Sequence, residues 1–285
     1  MVDRSRGAAF GRGAMSGGQP SVCMVGDVRR GISGRAGTPE PEVPSKTGGN
    51  PKAGALSRLK AVEADIVDCF ACPRLVAWRT EVAAVKRASF RDEDYWGRPV
   101  PGFGDPAARV AVVGLAPAAH GANRTGRIFT GDRSGEWLFA SMHRTGFANQ
   151  PVSVSRDDGL RLIGAWVCSA VRCAPPANKP TPEERDRCLP FLVRELDSLV
   201  EVRTVVVLGR FAYDVISRLY GLVGRPAFGH GVEVSAQAGA ARPSIICSYH
   251  PSQQNTFTGK LTEPMLDSVF ERAAELSGLG ARTSR

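Results

Sequence analysis

Four cysteines are spaced as metal ligands could be. Cys69 and Cys72 form a C-x-x-C pair, and Cys173 and Cys188 follow about a hundred residues later. Thiolates bind soft metals, and four of them can complete a tetrahedral zinc site or a [4Fe–4S] cluster. The long separation excludes a local zinc ribbon, whose ligand pairs lie closer together. Spacing alone leaves zinc, iron–sulfur, four unconnected thiols and a redox-active C-x-x-C pair as open alternatives.

The segment 114–135 combines residue types that suit a phosphate-bearing ligand. It contains five glycines, and its other notable side chains are His120, Arg124, Arg127, Phe129, Asp132 and Arg133. Glycine lets a backbone approach a ligand closely, and arginine binds phosphate. The alternative is a flexible surface loop in which Asp132 only caps the next helix. The density of glycine, arginine and aromatic character favours a binding loop.

Two further segments present polar groups. In 173–180, three prolines stiffen the backbone around Asn178, whose amide could pair with a base edge or could simply belong to a turn. The segment 248–259 is uncharged and rich in hydrogen-bonding groups. His250 there could donate a hydrogen bond to a developing anion, against the more common role of a structural histidine.

Each of these segments follows a predicted β-strand. Apolar runs rich in β-branched residues predict strands at 110–114, 165–171, 204–209 and 244–248, with an extra edge strand at 232–235. Helical patterns cover 136–144, 181–200, 210–222 and 263–276, and a Thr-Pro-Glu-Glu capping box opens the second of them. This alternation predicts a three-layer α/β/α domain with a central four-stranded, mainly parallel sheet. Ligands bind beyond the carboxyl ends of such strands, so we expect segments 114–134, 171–180 and 249–260 to share one rim.

The first part of the chain differs from the rest. Residues 1 to about 55 are rich in Gly and Pro and lack apolar periodicity, so we expect a disordered tail. Residues 56–285 would then form a single domain. Arg29-Arg30 is not followed by an apolar segment, which argues against export, and no run of 18 apolar residues predicts a membrane span.

The charge balance favours a polyanionic partner. Lys and Arg total 37 against 28 Asp and Glu, a formal net charge of +9 at pH 7. The sequence pI is about 9.5. Such a surplus is typical of proteins that bind nucleic acid.

Taken in order, these motifs resemble the family 5 (type b) uracil-DNA glycosylases of bacteria and archaea, over residues 64 to 277. The resemblance is carried by Cys-x-x-Cys-Pro-Arg-Leu at 69–75, Pro-Val-Pro-Gly-Phe-Gly-Asp at 99–105, the whole of 114–135, the Cys-Ala-Pro-Pro-x-Asn-Lys-Pro-Thr-Pro-Glu-Glu region within 171–184, Ser-Tyr-His at 248–250 and Gln-Asn-Thr at 254–256.

The resemblance implies a DNA repair enzyme with the four-stranded uracil-glycosylase fold. Members flip uracil and other deaminated bases such as hypoxanthine out of double-stranded DNA. They hydrolyse the N-glycosidic bond and leave an abasic site, the first step of base excision repair. The resemblance also implies a structural [4Fe–4S] cluster on Cys69, Cys72, Cys173 and Cys188. We expect a monomer in the cytoplasm, associated with the nucleoid.

The resemblance assigns roles to individual residues. Asp132 matches the catalytic acid that stabilises an oxocarbenium-like state and orients water. His250 matches the donor to O2 of the departing uracil, and Phe129 the aromatic on which the flipped base stacks. Asn178 matches an amide that either reads the base or holds water.

Further positions complete the expected site. Backbone groups near Ala116 and Ala118, together with Asn255, would line the substrate pocket. Phosphates would meet a set of basic side chains, namely Arg124, Arg127, Arg133, Lys179 and Lys260.

Ala118 is the position that bears on base selection and on the alternatives. Other uracil glycosylases carry a polar or acidic residue there, and its loss predicts loose base selection. The related family 4 enzymes have an acid early in this loop, which Ala118-Ala119 do not supply. The rival from another class is a non-catalytic iron–sulfur protein that binds DNA or senses redox state. That protein would not need Asp132, Asn178 and His250 together.

Overall fold

A computed structural model describes residues 51–235 and 242–280, without the side chains of 51 and 52. The expectation for the tail therefore lies outside the described residues up to residue 50. The first described helix begins at Pro51, inside the stretch that the sequence assigned to the tail. All described residues belong to one unit of the chain, 48–285.

The described residues form one mixed sheet of six strands in the order β1-β3-β2-β4-β6-β5. The strands are β1 (Phe103–Gly104), β2 (Val110–Gly114), β3 (Ala165–Ser169), β4 (Thr204–Leu208), β5 (Glu233–Val234) and β6 (Ser244–Ser248). The four central strands are parallel and almost wholly buried, which confirms the predicted core of the fold. The edge strand β5 is confirmed as well. Strand β1 was not predicted, and it pairs antiparallel with β3.

Eight α-helices accompany the sheet in the described part of the chain. They are α1 (Pro51–Val67), α2 (Pro73–Val85), α3 (Ala122–Thr125), α4 (Arg133–Arg144), α5 (Pro182–Ser198), α6 (Arg210–Leu219), α7 (Gln253–Phe257) and α8 (Glu263–Leu276). The predicted capping box is present at the start of α5, where Thr181 and Glu184 bond reciprocally. Helix α4 begins three residues earlier than predicted because Asp132 caps it. No helix within 51–235 or 242–280 is long and apolar enough to cross a membrane.

The helices cover both faces of the sheet, as a three-layer arrangement requires. On one face, side chains such as Val112 and Val206 pack against Leu138 of α4 and Phe270 of α8. On the other face, neighbours in the same strands pack against Leu192 of α5 and Ile216 of α6. The two apolar layers hold the sheet rigidly, so the loops at its carboxyl edge start from fixed points.

Candidate active site

A cavity of about 250 Å³ opens at the carboxyl ends of the parallel strands. Of the predicted catalytic and base-contacting residues, the structure brings six to its wall: Ala116, Ala118, Phe129, Asp132, Asn178 and His250. They come from three loops separated along the chain, which the parallel sheet gathers at one rim. The cavity is also lined by four residues that were not predicted, namely Leu115, Ile128, Ser134 and Ser252. Each of these lies within two residues of a predicted position, so proximity to the motifs was their only signal.

Asp132 is held by backbone on two sides. Its Oδ1 accepts a hydrogen bond from the N–H of Gly135 at 2.9 Å, which makes Asp132 the N-cap of α4. On the other side, a Cβ added to Gly121 would lie 2.2 Å from Asp132 Oδ2. Burial raises the pKa of Asp132, and hydrogen bonds from the backbone of Gly135 and Ser134 act in the opposite direction. A poorly solvated carboxylate of this kind interacts strongly with a positive charge that develops in the cavity.

Phe129 is fixed in an unusual backbone conformation beside that carboxylate. Its φ is +54°, in the left-handed region that side chains rarely adopt. Glycines make room for it: a Cβ on Gly114 would lie 2.6 Å from Phe129 Cζ, and one on Gly135 would lie 1.8 Å from the Phe129 carbonyl oxygen. Local strain maintained by its surroundings is typical of functional sites.

His250 faces the cavity as a neutral imidazole. Burial lowers its pKa to about 4, so it carries no charge at neutral pH and can still donate one ring N–H. Its ring centroid lies 5.8 Å from that of Phe129. Asn255 does not line the cavity, in contrast to the predicted substrate contact. Its Nδ2 instead donates to the His250 carbonyl at 2.8 Å, so Asn255 holds the loop that carries the imidazole.

Asn178 projects from a short 3₁₀ turn, Pro176–Asn178, and is exposed at the mouth of the cavity. Its φ is +56°, and that of Ala177 is +52°. The turn is anchored from below, because Arg74 donates both to the Lys179 carbonyl at 3.1 Å and to the carboxylate of Glu184. These hydrogen bonds restrain the turn that carries the amide, and the prolines of 173–180 restrict its backbone further.

The predicted phosphate contacts divide into two groups. The guanidinium groups of Arg124 and Arg127 are buried and form ion pairs with Glu93 and Asp158. Two buried and paired cations are unsuited to a phosphate, so their expected role is replaced by one in holding the first loop together. The second group can contact phosphate because its side chains are exposed. It consists of Arg133, Lys179 and Lys260.

Three of the four predicted metal-binding cysteines are buried together. Cys72, Cys173 and Cys188 pack in one cluster with Leu75 and Val171. Cys69 is partly exposed. Within the described residues, no three Cys, His, Asp or Glu side chains already converge as ligands of one metal ion.

The sulfur atoms nevertheless share one electrostatic environment. The pKa of Cys173 is raised to about 12, first by burial and also by the charges of Cys188 and Cys69. Burial likewise raises the pKa of Cys188, and the charges of Cys72 and Cys69 add to this effect. Hydrogen bonds reach two of the sulfurs, from Arg79 Nη1 to Cys173 Sγ at 3.1 Å and from the Arg172 N–H to Cys188 Sγ at 3.4 Å. Thiols that pack in one cluster and accept hydrogen bonds are chemically suited to a soft metal group.

The cysteine cluster touches the cavity wall. Ala116 lines the cavity and also packs against the cluster. Cys173 and Asn178 stand in the same loop, after β3. Whatever fixes the cysteines therefore also fixes part of the cavity.

Comparison of the sequence with known proteins identifies one family. The sequence model described as the uracil DNA glycosylase superfamily matches residues 101–274, which include the three rim loops. A type-5 uracil-DNA glycosylase of Mycobacterium tuberculosis is 53% identical over 230 residues, 80% of this chain and 84% of the relative.

Relatives from distant organisms agree. The type-5 uracil-DNA glycosylase of Thermus thermophilus is 51% identical over 212 residues, 74% of this chain and 94% of the relative. That of Pyrobaculum aerophilum is 47% identical over 213 residues, 75% of this chain and 91% of the relative. The chain belongs to the uracil-DNA glycosylase superfamily and, within it, to the type-5 family.

Proposed function

We propose that this protein excises uracil from DNA by hydrolysing the bond between the base and its deoxyribose. The observation that carries the proposal is that the Asp132 carboxylate and the neutral His250 imidazole line one cavity of about 250 Å³. The relatives, which are named type-5 uracil-DNA glycosylases, support the same reaction.

The reaction needs opposite electrostatic help at the two ends of the breaking bond. As the base departs with the bonding electron pair, C1′ gains positive charge and uracil O2 gains negative charge. Asp132 would stabilise the sugar cation and orient the water whose oxygen bonds to C1′. His250 would donate its ring N–H to O2, and a neutral donor keeps that proton where the anion forms. The water proton released on attack passes to Asp132 or solvent, and the base anion is protonated on release.

Recognition requires the base to leave the helix stack. We assign Phe129 as the surface on which the flipped base stacks, and Asn178 as the amide that reads the base or holds water. Asn255 positions His250 by donating a hydrogen bond to the His250 carbonyl. The wall at Ala118 is apolar, and an apolar wall rejects a wrong base less strongly than a hydrogen-bonding group does. Hypoxanthine and other deaminated bases therefore belong to the proposed substrate range.

The DNA itself would lie across the rim. Arg133, Lys179 and Lys260 are exposed around the cavities at this edge and would contact phosphates of double-stranded DNA. Arg124 and Arg127 are left out of this set because they are buried in ion pairs. We propose that the enzyme acts as a monomer on chromosomal DNA in the cytoplasm.

A [4Fe–4S] cluster fits the cysteine site. Cys69, Cys72, Cys173 and Cys188 would hold it, with hydrogen bonds from Arg79 and the Arg172 backbone to the sulfurs. When bound, the cluster would supply a structural cross-link between the segment before α2, the loop after β3 and helix α5. The chain's own residues perform the chemistry in the cavity.

The test is base release from duplex oligonucleotides that contain one uracil or one hypoxanthine, followed by alkaline strand cleavage. Release of both bases would support excision and the open wall at Ala118. Release of uracil alone would support the proposed reaction but contradict the broad substrate range inferred from the apolar wall at Ala118. If a folded, DNA-binding protein released neither base, the proposed function would be wrong and the non-catalytic alternative would take its place.

A further inference from the structure

Arg79 in α2 is a buried cation without a carboxylate partner. Its side chain is 1% exposed, and no ion pair to Asp or Glu reaches it from the described residues. Its Nη1 donates to Cys173 Sγ at 3.1 Å, and its Nη2 donates to the Cys69 carbonyl at 3.2 Å. Its Nε is buried and has no hydrogen-bond partner.

The other buried arginines of the described chain show what is unusual here. Arg124 pairs with Glu93, Arg127 with Asp158, and Arg172 with Glu195. A guanidinium keeps its charge at every accessible pH, and a buried charge is costly unless an opposite charge balances it. For Arg79 the contacting group that can become anionic is a cysteine sulfur.

We propose that Arg79 is a positioning residue whose permanent positive charge is balanced by the thiolates of a metal-bound cysteine set. The inference rests on the iron–sulfur site proposed above. Four thiolates around an iron–sulfur core leave the group with net negative charge, so the pairing removes two burial penalties at once. The ring of Phe70, 5.2 Å from the guanidinium carbon, adds a favourable contact with the cation.

Arg79 also connects the cysteine site to the first rim loop. Its carbonyl accepts a hydrogen bond from Asn123 Nδ2 at 3.2 Å, and Asn123 is almost fully buried. The backbone N–H of Asn123 donates in turn to the Ala118 carbonyl at 3.0 Å. One residue thus contacts the sulfur site with its side chain and the cavity-forming loop with its backbone. A shift of α2 at Arg79 would therefore be felt at both places.

The experiment compares three variants of the full chain with the wild type. Arg79→Met removes the charge and keeps much of the volume, whereas Arg79→Lys keeps the charge. Arg194→Gln is the matched control, because Arg194 is an exposed arginine of α5 paired with Asp65. Iron and sulfide per chain, the rate of iron release to a chelator and the midpoint reduction potential of the cluster are measured for each.

We expect Arg79→Met to release iron about tenfold faster than the wild type, since substitutions beside metal ligands weaken metal binding by 10- to 100-fold, roughly. Its reduction potential should fall, because the lost positive charge no longer favours the added electron. Arg79→Lys should keep a potential close to that of the wild type, and Arg194→Gln should match the wild type in every measurement.

Two results would contradict the role of Arg79 without contradicting the proposed iron–sulfur site. One is an Arg79→Met protein with wild-type iron release and potential. The other is a folded Arg79→Lys protein that loses the cluster, because a retained positive charge would then be insufficient to keep the cluster bound. This second result decides the matter if Arg79→Met does not fold. A wild-type protein purified without iron would instead refute the iron–sulfur site and the inference together. Uracil release, measured separately, would still test the excision proposal.

Discussion

Asp132 accepts a hydrogen bond from the N–H of Gly135 at 2.9 Å, so the proposed catalytic carboxylate is also the cap that starts α4. The position of this carboxylate therefore depends on the packing of α4, whose Leu138 and Met142 are fully buried against the sheet. A side chain in a loop acquires in this way the precision of a core element.

Asp132→Asn should greatly slow excision without unfolding the protein. Asparagine caps helices about as well as aspartate, so the free energy of unfolding should change by about 0.5 kcal/mol or less. The rate of base release should fall by about 10² to 10⁴, because no carboxylate then stabilises the sugar cation. Single-turnover cleavage and thermal unfolding measure the two quantities. Glu271→Gln, which removes an exposed carboxylate of α8 outside the cavity wall, is the control. An Asp132→Asn protein with the wild-type rate would show that another group stabilises the positive charge on the sugar.

The rate of excision should depend on pH through Asp132. The proposed mechanism uses the ionised carboxylate of Asp132, and burial raises the pKa of this group. Activity should therefore fall at a higher pH than an ordinary aspartate would give. His250 stays neutral until about pH 4 and does not produce this loss. Single-turnover rates between pH 4 and 8 test the prediction, with the residual rate of Asp132→Asn as reference. If the Asp132→Asn rate fell at low pH in the same way as the wild-type rate, the assignment of the pH dependence to Asp132 would be wrong.

His250 should make the free energy of unfolding pH-dependent. The imidazole is neutral in the folded protein down to about pH 4 and binds a proton near pH 6.5 when unfolded. The contribution of His250 to the free energy of unfolding is therefore fully present above about pH 6.5. It should decline by about 3 kcal/mol as the pH falls from about 6.5 to 4. Denaturant unfolding at several pH values measures this slope. His250→Gln should reduce the slope without removing it, because burial also lowers the pKa values of His120 and His230. His143→Gln, outside the cavity wall, should keep the slope of the wild type. An unchanged slope in His250→Gln would mean that another group titrates in this range.

Gly121→Ala should impair catalysis through a steric clash. The new Cβ would lie 2.2 Å from Asp132 Oδ2, so the carboxylate must move. Because small displacements of catalytic groups are costly, we expect the excision rate to fall by about 10². Gly54→Ala in α1 is the control, since its Cβ would meet only the flexible end of Arg58. Equal rates for Gly121→Ala and the wild type would show that Asp132 can relocate freely.

Removal of Lys179 or Lys260 should weaken DNA binding in a salt-dependent manner. Each phosphate contact contributes about 0.9 to the slope of log affinity against log salt concentration, and each Lys→Ala variant should lose that amount. Fluorescence anisotropy with a labelled duplex at several salt concentrations gives the slopes. Lys60→Ala, on α1, is the control and should bind like the wild type. A full wild-type slope in both variants would exclude these lysines from the interface.

The strands were predictable because buried parallel strands are nearly continuous apolar runs. Val110–Gly114 and Ser244–Ser248 are examples, and the loops that follow them lie at the rim, as the topology requires. Helices α1 and α2 were missed, since neither concentrates its apolar side chains on one strongly marked face. Strand β1 has only two residues, too few to show a period.

The location of the candidate site was predictable, because Asp132 and His250 follow predicted strands and both line the cavity at the predicted rim. Their catalytic roles stay a prediction. The site was not predictable where a charged residue lies inside. Arg124 and Arg127 resemble surface cations in sequence because their partners, Glu93 and Asp158, are about thirty residues away and only the fold brings them near. Asn255 was placed in the right loop but acts through the His250 carbonyl, a distinction that only geometry supplies.

The parallel sheet separates two demands on the sequence. Its apolar faces maintain the fold, while the loops at one edge carry the residues that line the cavity. Loop residues such as Ala118 can therefore be exchanged during evolution or by an engineer without a new core having to be designed. The architecture thereby allows one inherited scaffold to acquire new lesion specificities in small, individually tolerable steps.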